Sequence, residues 1–469
     1  MTQSGSTKRV AAVYLLLAGL QRGVSFLILP FITHALSPAE YGAASILTYS
    51  TLLLLAVFAP VELLVFRAAA RGDEDGPSLI RATGIYCFAI LPLFVAPAAI
   101  AVALLVPELF GLDGRIWAIE LLAVGFLPAA TSFALPYFRA RHDLRRFAIL
   151  ALASVTTTAV SKVLFVVVWK HGVLGWAVSD LVSAVVSAVF AIALVRLPRV
   201  SVNSGHVRAA IQFCVPLIPH RASFWALTSL SRPTLAAVST LAQVGLLSFG
   251  LSLASIAYTI LTEINQAVQP HFARETLPAP TAETRGAVKW QLVLAFTVPG
   301  VIGAVLALTG SFVFAKDYWP SFAITGILLG GQAFIGLYVV LMNYLVLTAG
   351  HSTLGTIASV PGAVVILVGI LALGGPLGAR GAALATLGGF VVMAAVALLL
   401  TKRLKLEIRW SEWSTHVPAV AVSVASLAFG VASLSLPIAS RSAIASASLC
   451  LILSAIALSI TFRKKQPMS

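Results

Sequence analysis

The sequence predicts an all-α integral membrane protein with about 14 transmembrane helices. Of its 469 residues, 59% are hydrophobic and only 10% are charged, whereas about 25% of a soluble domain is charged. Mean hydropathy is +0.99. Many apolar runs exceed the ~18 residues that a helix needs to cross a bilayer, and barrel strands would instead read as ~10-residue alternations. This composition excludes a soluble globular enzyme, a disordered chain and a disulfide scaffold.

Fourteen apolar runs divide the chain, and the segments between them are too short to hold a folded soluble domain. The first run follows Lys8 and Arg9, as in a signal peptide, but it is longer than the ~7–15 residues of an apolar signal region. We therefore interpret it as an uncleaved span. The runs lie at about 10–35, 43–66, 79–106, 116–138, 147–169, 173–196, 209–231, 238–266, 287–310, 321–348, 353–374, 378–400, 416–436 and 442–462.

The distribution of Lys and Arg predicts the orientation in the membrane. With the N-terminus in the cytoplasm, 22 of the 31 Lys and Arg residues lie in cytoplasmic segments and six lie outside. Cytoplasmic loops of membrane proteins carry this excess of basic residues. The net charge of +15 is therefore mainly a topology signal, and no nucleic acid partner is expected. The six outside residues are Arg115, Lys170, Arg232, Lys316, Arg380 and Arg441.

This charge distribution predicts that both termini are cytoplasmic. Reporter fusions after Ser469 and after Lys405 should report the cytoplasm, and a fusion within 107–115 should report the outside. A cytoplasmic signal from the 107–115 fusion would contradict the predicted topology.

Short matches at a nearly constant offset indicate an internal repeat. Gly42 matches Gly245 at an offset of 203, and the segment beginning at Gly172 matches the one beginning at Gly378 at an offset of 206. We predict two six-helix lobes, 1–205 and 206–405, followed by two additional helices in 406–469. Because six is even, both lobes insert in the same direction. A pseudo-twofold axis along the membrane normal, with the substrate site between the lobes, is typical of transporters.

Two arginines are candidate ligands for the anionic head group of a substrate. Arg22 and Arg221 lie at similar depths in the first spans of the two lobes. An arginine at the centre of a bilayer costs about 2.5–3.5 kcal/mol and needs a partner or a water-filled cavity. They could line a central cleft or serve only as structural cations. Their neighbours Gln21 and His220 could line the same cleft.

Four further ionisable residues inside predicted spans are candidates for a functional role. Lys162 is a third candidate for contact with an anionic substrate, although its long stem could also reach toward the interface. Glu62, Asp180 and Glu263 are candidate ion-coupling sites, because an intramembrane carboxylate could bind H⁺ or Na⁺. A local ion pair with Arg67 is the alternative for Glu62.

The motifs of soluble enzymes do not occur in the sequence. It has no Gly-Lys-Ser/Thr phosphate loop, and its three cysteines and eight histidines show no metal-ligand spacing. We expect no catalytic residue, no metal and no cofactor other than a coupling ion.

Several segments resemble bacterial polysaccharide (O-antigen) flippases. The region from Arg22 to Gly42 ends in Leu-Ser-Pro-Ala-Glu-Tyr-Gly, like the first turn of that family. The segment from Leu241 to Ser248 resembles the matching turn of the second lobe, and the segment from Gly378 to Thr386 resembles the twelfth span. The family belongs to the multidrug/oligosaccharidyl-lipid/polysaccharide exporter superfamily.

The resemblance implies a transporter that flips an undecaprenyl-diphosphate-linked oligosaccharide to the outer leaflet by alternating access. It also implies a bacterial cytoplasmic (inner) membrane location and a role in lipopolysaccharide or exopolysaccharide synthesis, with membrane lipids, a polysaccharide polymerase and glycosyltransferases as partners. In this family, cavity cations are thought to meet the diphosphate or acidic sugars, a role that Arg22 and Arg221 fit. A lipid II flippase, a cation-coupled multidrug exporter and a membrane glycosyltransferase or polymerase are the alternatives.

Overall fold

The computed structural model is almost entirely helical in the part of the chain that it describes. That part comprises residues 23–71, 74–218, 225–226, 229–273, 281–350, 353–404 and 417–464. The only strands among these residues are β1 (Glu108–Leu109) and β2 (Leu112–Asp113), which pair antiparallel in a short hairpin. Helices satisfy their backbone hydrogen bonds internally, as a chain in lipid requires.

Most of the helices lie on predicted apolar runs, and the short helix Ser231–Val238 falls between the runs 209–231 and 238–266. In the first half they are α1 (Gly23–Ala35), α2 (Pro38–Arg71), α3 (Gly76–Leu105), α4 (Gly114–Ala140), α5 (Leu144–Val168), α6 (Gly172–Leu194), α7 (Ser204–Cys214) and α8 (Ser231–Val238). In the second half they are α9 (Leu241–Ala273), α10 (Ala282–Val313), α11 (Ser321–Thr348), α12 (Thr353–Arg403), α13 (Val417–Leu434) and α14 (Ile438–Lys464).

The prediction of an all-α membrane protein is confirmed. Among the described residues, eight helices are long and apolar enough to cross a membrane by length and composition. The eleventh and twelfth predicted spans both lie in α12, where the non-helical backbone of Gly378 forms a kink between two helices.

The chain forms two compact units, Met1–Pro233 and Thr234–Ser469. In the first unit, α4 packs between α3 and α6, and α5 packs on α6. The aromatic side chains of Phe133, Phe138 and Phe147 are fully buried there and belong to one apolar cluster with residues of α2 and α5. Lobe boundaries at 205 and 405 stay a prediction.

In the second unit, the two C-terminal helices pack closely against α10. A Cβ added to Gly303 would lie 2.9 Å from the carbonyl oxygen of Gly430, and one added to Gly430 would lie 2.5 Å from the carbonyl oxygen of Gly300. Small residues therefore let α10 and α13 approach backbone to backbone, as is typical of helix packing in membranes. The hydroxyls of Ser426 and Ser448 connect α13 to α14.

The two units contain the same turn. Gly172 begins α6 with φ of +57°, and Gly378 forms the kink of α12 with the same φ. Each glycine faces an acidic or amide side chain from the first turn of another helix, Glu40 in α2 and Gln243 in α9. The Gln243 Oε1 atom accepts a hydrogen bond of 2.9 Å from the backbone N–H of Ala379. The residues that revealed the repeat in sequence thus form equivalent turns.

We predict that Gly378→Ala lowers the melting temperature of the purified protein. A side chain at this φ and ψ costs about 1–3 kcal/mol, and its Cβ would lie 2.4 Å from Gln243 Oε1. Gly388→Ala, in the same helix, is the control, because its Cβ would meet only Val365 at 3.7 Å. Thermal unfolding in detergent measures both variants, and equal melting temperatures would contradict the steric argument.

Candidate functional site

One turn of α2, from Thr48 to Thr51, contacts polar side chains from three other parts of the first unit. Trp176 Nε1 donates a 2.9 Å hydrogen bond to Thr48 Oγ1. Trp225 Nε1 donates one of 2.7 Å to the carbonyl oxygen of Tyr49. Thr51 Oγ1 lies 3.4 Å from Glu120 Oε1. We name the group formed by Glu120, Lys162, Asp180 and this turn the buried charge cluster.

An ion pair between α5 and α6 is the centre of the buried charge cluster. Lys162 Nζ lies 2.8 Å from Asp180 Oδ2, and it also donates a 3.3 Å hydrogen bond to the carbonyl oxygen of Trp176. The same ammonium lies 3.5 Å from the centre of the Trp176 ring. The Lys162 side chain is 7% exposed and that of Asp180 is 23% exposed. The structure thus gives Lys162 an internal partner; its contact with an anionic substrate stays a prediction.

Hydroxyl groups hold the two helices of this ion pair together. Ser161 Oγ donates a 3.1 Å hydrogen bond to the carbonyl oxygen of Ser179, and the hydroxyls of Thr158 and Ser183 are hydrogen-bonded. Lys162 is the last residue before a π-helical turn, Val163–Val168. Such turns are frequent at functional sites, and this one forms the C-terminal end of α5.

Glu120 is a buried carboxylate that the sequence analysis missed. It lies on α4, is 4% exposed, and interacts electrostatically with both Asp180 and Lys162. It was overlooked because it stands only a few residues inside the predicted span 116–138, where a carboxylate can be solvated. Its position between Ile119 and Leu121 was the available signal.

A second cation lies next to the same turn of α2. The guanidinium carbon of Arg232 is 3.4 Å from the centre of the Tyr49 ring, and Arg232 is 3% exposed. The sequence analysis assigned Arg232 to an outside loop. Stacking on an aromatic ring suits a guanidinium, because the group is planar and weakly hydrated.

The second unit contains a buried amide cluster without charged side chains. The Oδ1 atom of Asn265 accepts hydrogen bonds of 2.7 Å from both Gln291 Nε2 and Asn343 Nδ2. All three residues are buried. The cluster joins α9, α10 and α11, so these helices have one preferred register.

The other predicted site residues are not all within the described part of the chain. Gln21, Arg22, His220 and Arg221 lie outside it. Glu62 is half-buried on α2, eleven residues beyond Thr51, which corresponds to about 16 Å along the helix. Glu263 is half-buried on α9 in the second unit. The structure therefore brings together Lys162 and Asp180 and places Glu62 away from them.

The chemistry of the buried charge cluster is electrostatic. Its three ionisable side chains come from α4, α5 and α6 and lie within electrostatic range of one another. Within the described residues, no group of three or more His, Cys, Asp and Glu side chains could hold a metal ion. The cluster contains two carboxylates and one ammonium group.

Solved structures define the class of protein to which this fold belongs. The chain is similar to the lipid II flippase MurJ in an inward closed conformation, with a TM-score of 0.69 over 97% of each chain at 13% identity. It is also similar to an inward-facing multidrug resistance MATE family transporter of the MOP superfamily, with a TM-score of 0.64 over 82% of this chain and 94% of the other at 14% identity. The eukaryotic MATE transporter AtDTX14 matches with a TM-score of 0.53 over 90% and 98% of the two chains at 15% identity. The protein has the fold of these multi-pass membrane transporters.

The family itself follows from the sequence. The model of the polysaccharide biosynthesis protein family matches residues 8–275, which is more than half of the chain, so the protein belongs to this family. The resemblance found in the sequence is confirmed. A search of the curated proteins finds no significant match.

We predict that Lys162→Met destabilises the protein and that Lys162→Met with Asp180→Asn restores much of the loss. Removing one partner of a buried ion pair costs about 3–5 kcal/mol because the other charge is left unpaired, whereas replacing both partners is often nearly neutral. Thermal unfolding of the purified variants measures the effect. If the single variant were as stable as the unmodified protein, the ion pair would not contribute to the fold.

Proposed function

We propose that the protein flips an undecaprenyl-diphosphate-linked oligosaccharide from the cytoplasmic to the outer leaflet of the bacterial inner membrane. The family assignment is the observation that carries this proposal. The fold supports it, since a flippase of a lipid-linked substrate matches 97% of the chain. We propose alternating access as the mechanism, with lipopolysaccharide or exopolysaccharide synthesis as the pathway and a polymerase and glycosyltransferases as partners.

A buried arginine in the first unit supports an anionic rather than a cationic substrate. Arg232 is buried on the ring of Tyr49 in α2, whereas Lys162 is paired with Asp180. We propose that Arg22 and Arg221, with Gln21 and His220 beside them, bind the diphosphate. An arginine fork binds phosphate oxygens in pairs, and each contact would form in a low-dielectric cleft.

A coupling ion is also part of the proposal. Asp180 is the best placed of the three candidate carboxylates, because it belongs to the buried charge cluster. Glu62 and Glu263 remain candidates for H⁺ or Na⁺ binding. Both termini and the basic loops are proposed to lie in the cytoplasm.

The lipid II flippase is the second candidate function, and its structural likeness favours it. The two functions differ in the sugar that the diphosphate carries. Reconstituted protein should therefore be given fluorescent lipid-linked oligosaccharide and lipid II in separate vesicle preparations, and flipping should be measured with an impermeant quencher. Faster flipping of lipid II would favour the second function. Transport of a cationic dye without flipping of either lipid would indicate a multidrug exporter.

We predict that Arg22→Gln and Arg221→Gln each reduce flipping strongly without preventing insertion or folding. Each variant loses a charge-assisted contact with the diphosphate, and replacement by Lys should rescue only partly because an ammonium lacks the planar fork. Arg380→Gln is the control, because Arg380 is exposed and lies in a predicted outside loop. Normal flipping by the Arg22→Gln, Arg221→Gln double variant at equal expression would show that these arginines are structural.

A further inference from the structure

We propose that Glu120 is a proton-binding site, and that the buried charge cluster carries one proton per transport cycle on this carboxylate. The transport step rests on the proposed function, whereas proton binding at Glu120 does not. In the reaction, an O–H bond forms on the Glu120 carboxylate and an O–H bond of a hydronium ion from one aqueous phase breaks. The proton returns to water of the opposite phase.

The hydrogen bonds of Glu120 are the first reason. Its Oε2 atom is buried and has no hydrogen-bond partner among the described residues. Its Oε1 atom lies 3.4 Å from Thr51 Oγ1, but that hydroxyl is closer to the carbonyl oxygens of Leu47 and Thr48, at 3.0 and 2.9 Å. A threonine hydroxyl has one hydrogen to donate. The Thr51 hydrogen therefore points mainly to these two carbonyl oxygens. The Glu120 carboxylate is left with only a weak hydrogen bond, although a buried anion needs strong ones.

The same geometry accommodates the acid form without rearrangement. When the Thr51 hydrogen points to a backbone carbonyl, the lone pairs of Oγ1 remain available. A protonated Glu120 can donate its O–H to this oxygen, and Oε2 is then left as an uncharged carbonyl oxygen. The neighbouring Ser50 hydroxyl is also buried without a partner among the described residues, and it is a further polar group on this turn of α2.

The charge balance of the cluster is the second reason. Asp180 is neutralised by Lys162 at 2.8 Å, and the ammonium is held in place by the carbonyl oxygen and the ring of Trp176. Glu120 therefore lacks a cation of its own. Lys162 and Asp180 are the charged groups that act on it; α2 contributes the Thr51 hydroxyl, and residues 91–105 of the packed helix α3 have no ionisable side chain.

A proton fits this position better than a metal cation. The ammonium of Lys162 would repel a second cation in the same low-dielectric site, whereas a proton bound to Glu120 leaves a neutral acid. Hard metal cations also require several oxygen ligands, and Thr51 is the one hydrogen-bond partner of Glu120 in the described part of the chain.

Infrared difference spectroscopy of the purified protein tests proton binding directly. A protonated carboxylic acid in a dry site gives a carbonyl-stretch band that shifts in deuterated water. Glu120→Gln should remove this band, Glu120→Asp should move it, and the exposed control Glu108→Gln should leave it unchanged. Melting temperatures establish that the variants are folded. Persistence of the unshifted band in both Glu120 variants, or its absence from the unmodified protein, would overturn the proposal.

Vesicles with an imposed pH gradient test the coupling. A pH gradient should accelerate flipping by the unmodified protein and by the control Glu108→Gln, whereas Glu120→Gln should lose this acceleration. Acceleration by a sodium gradient at fixed pH, lost in Glu120→Gln, would instead assign a sodium site and overturn the proton. If the unmodified protein flips no lipid-linked sugar but keeps the infrared band, the proposed substrate is wrong and the proton site stands.

Discussion

The hydrocarbon interior offers no water to hydrogen-bond a polar group, and the structure follows from this constraint. Backbone groups are satisfied within helices, and several buried polar side chains in the spans lie where helices meet. Lys162 and Asp180 pair between α5 and α6, Asn265 joins Gln291 and Asn343 across three helices, and serines connect α13 to α14. Each contact satisfies a polar group and also fixes the rotation of a helix.

The same constraint acts where helices begin. Both units contain the same kind of turn, in which a glycine with positive φ faces a Glu or Gln side chain from the first turn of another helix. In the second unit this side chain accepts a hydrogen bond from the backbone N–H after the glycine. A side chain on the glycine would displace the acceptor, so the turn and the helix contact depend on the same residue. This accounts for the glycines at equivalent positions of the two sequence repeats.

The two units differ in the polar groups that they bury. The first unit contains the charged cluster of Glu120, Lys162 and Asp180, whereas the amide cluster of the second unit is neutral. Amide side chains fix the register of the helices but do not take up a proton. A cluster with one carboxylate in excess can bind a proton and thereby change its net charge. This difference supports proton coupling in the first unit of the proposed transporter. The same unit contains Arg22 and Arg221, the proposed ligands of the anionic substrate.

The sequence by itself determined the helical class and the family, because the length of an apolar run is a local property and each helix satisfies its own backbone. It also identified Lys162 and Asp180 as ionisable residues in spans. It did not pair them, since they lie 18 residues apart on two helices and their contact depends on how each helix is rotated.

Only the tertiary structure revealed that Glu120 is buried beside them and that Arg232 stacks on Tyr49. Both stand near span ends, where composition alone cannot separate a solvated charge from a buried one; the neighbouring helices decide it, because they either admit water or exclude it.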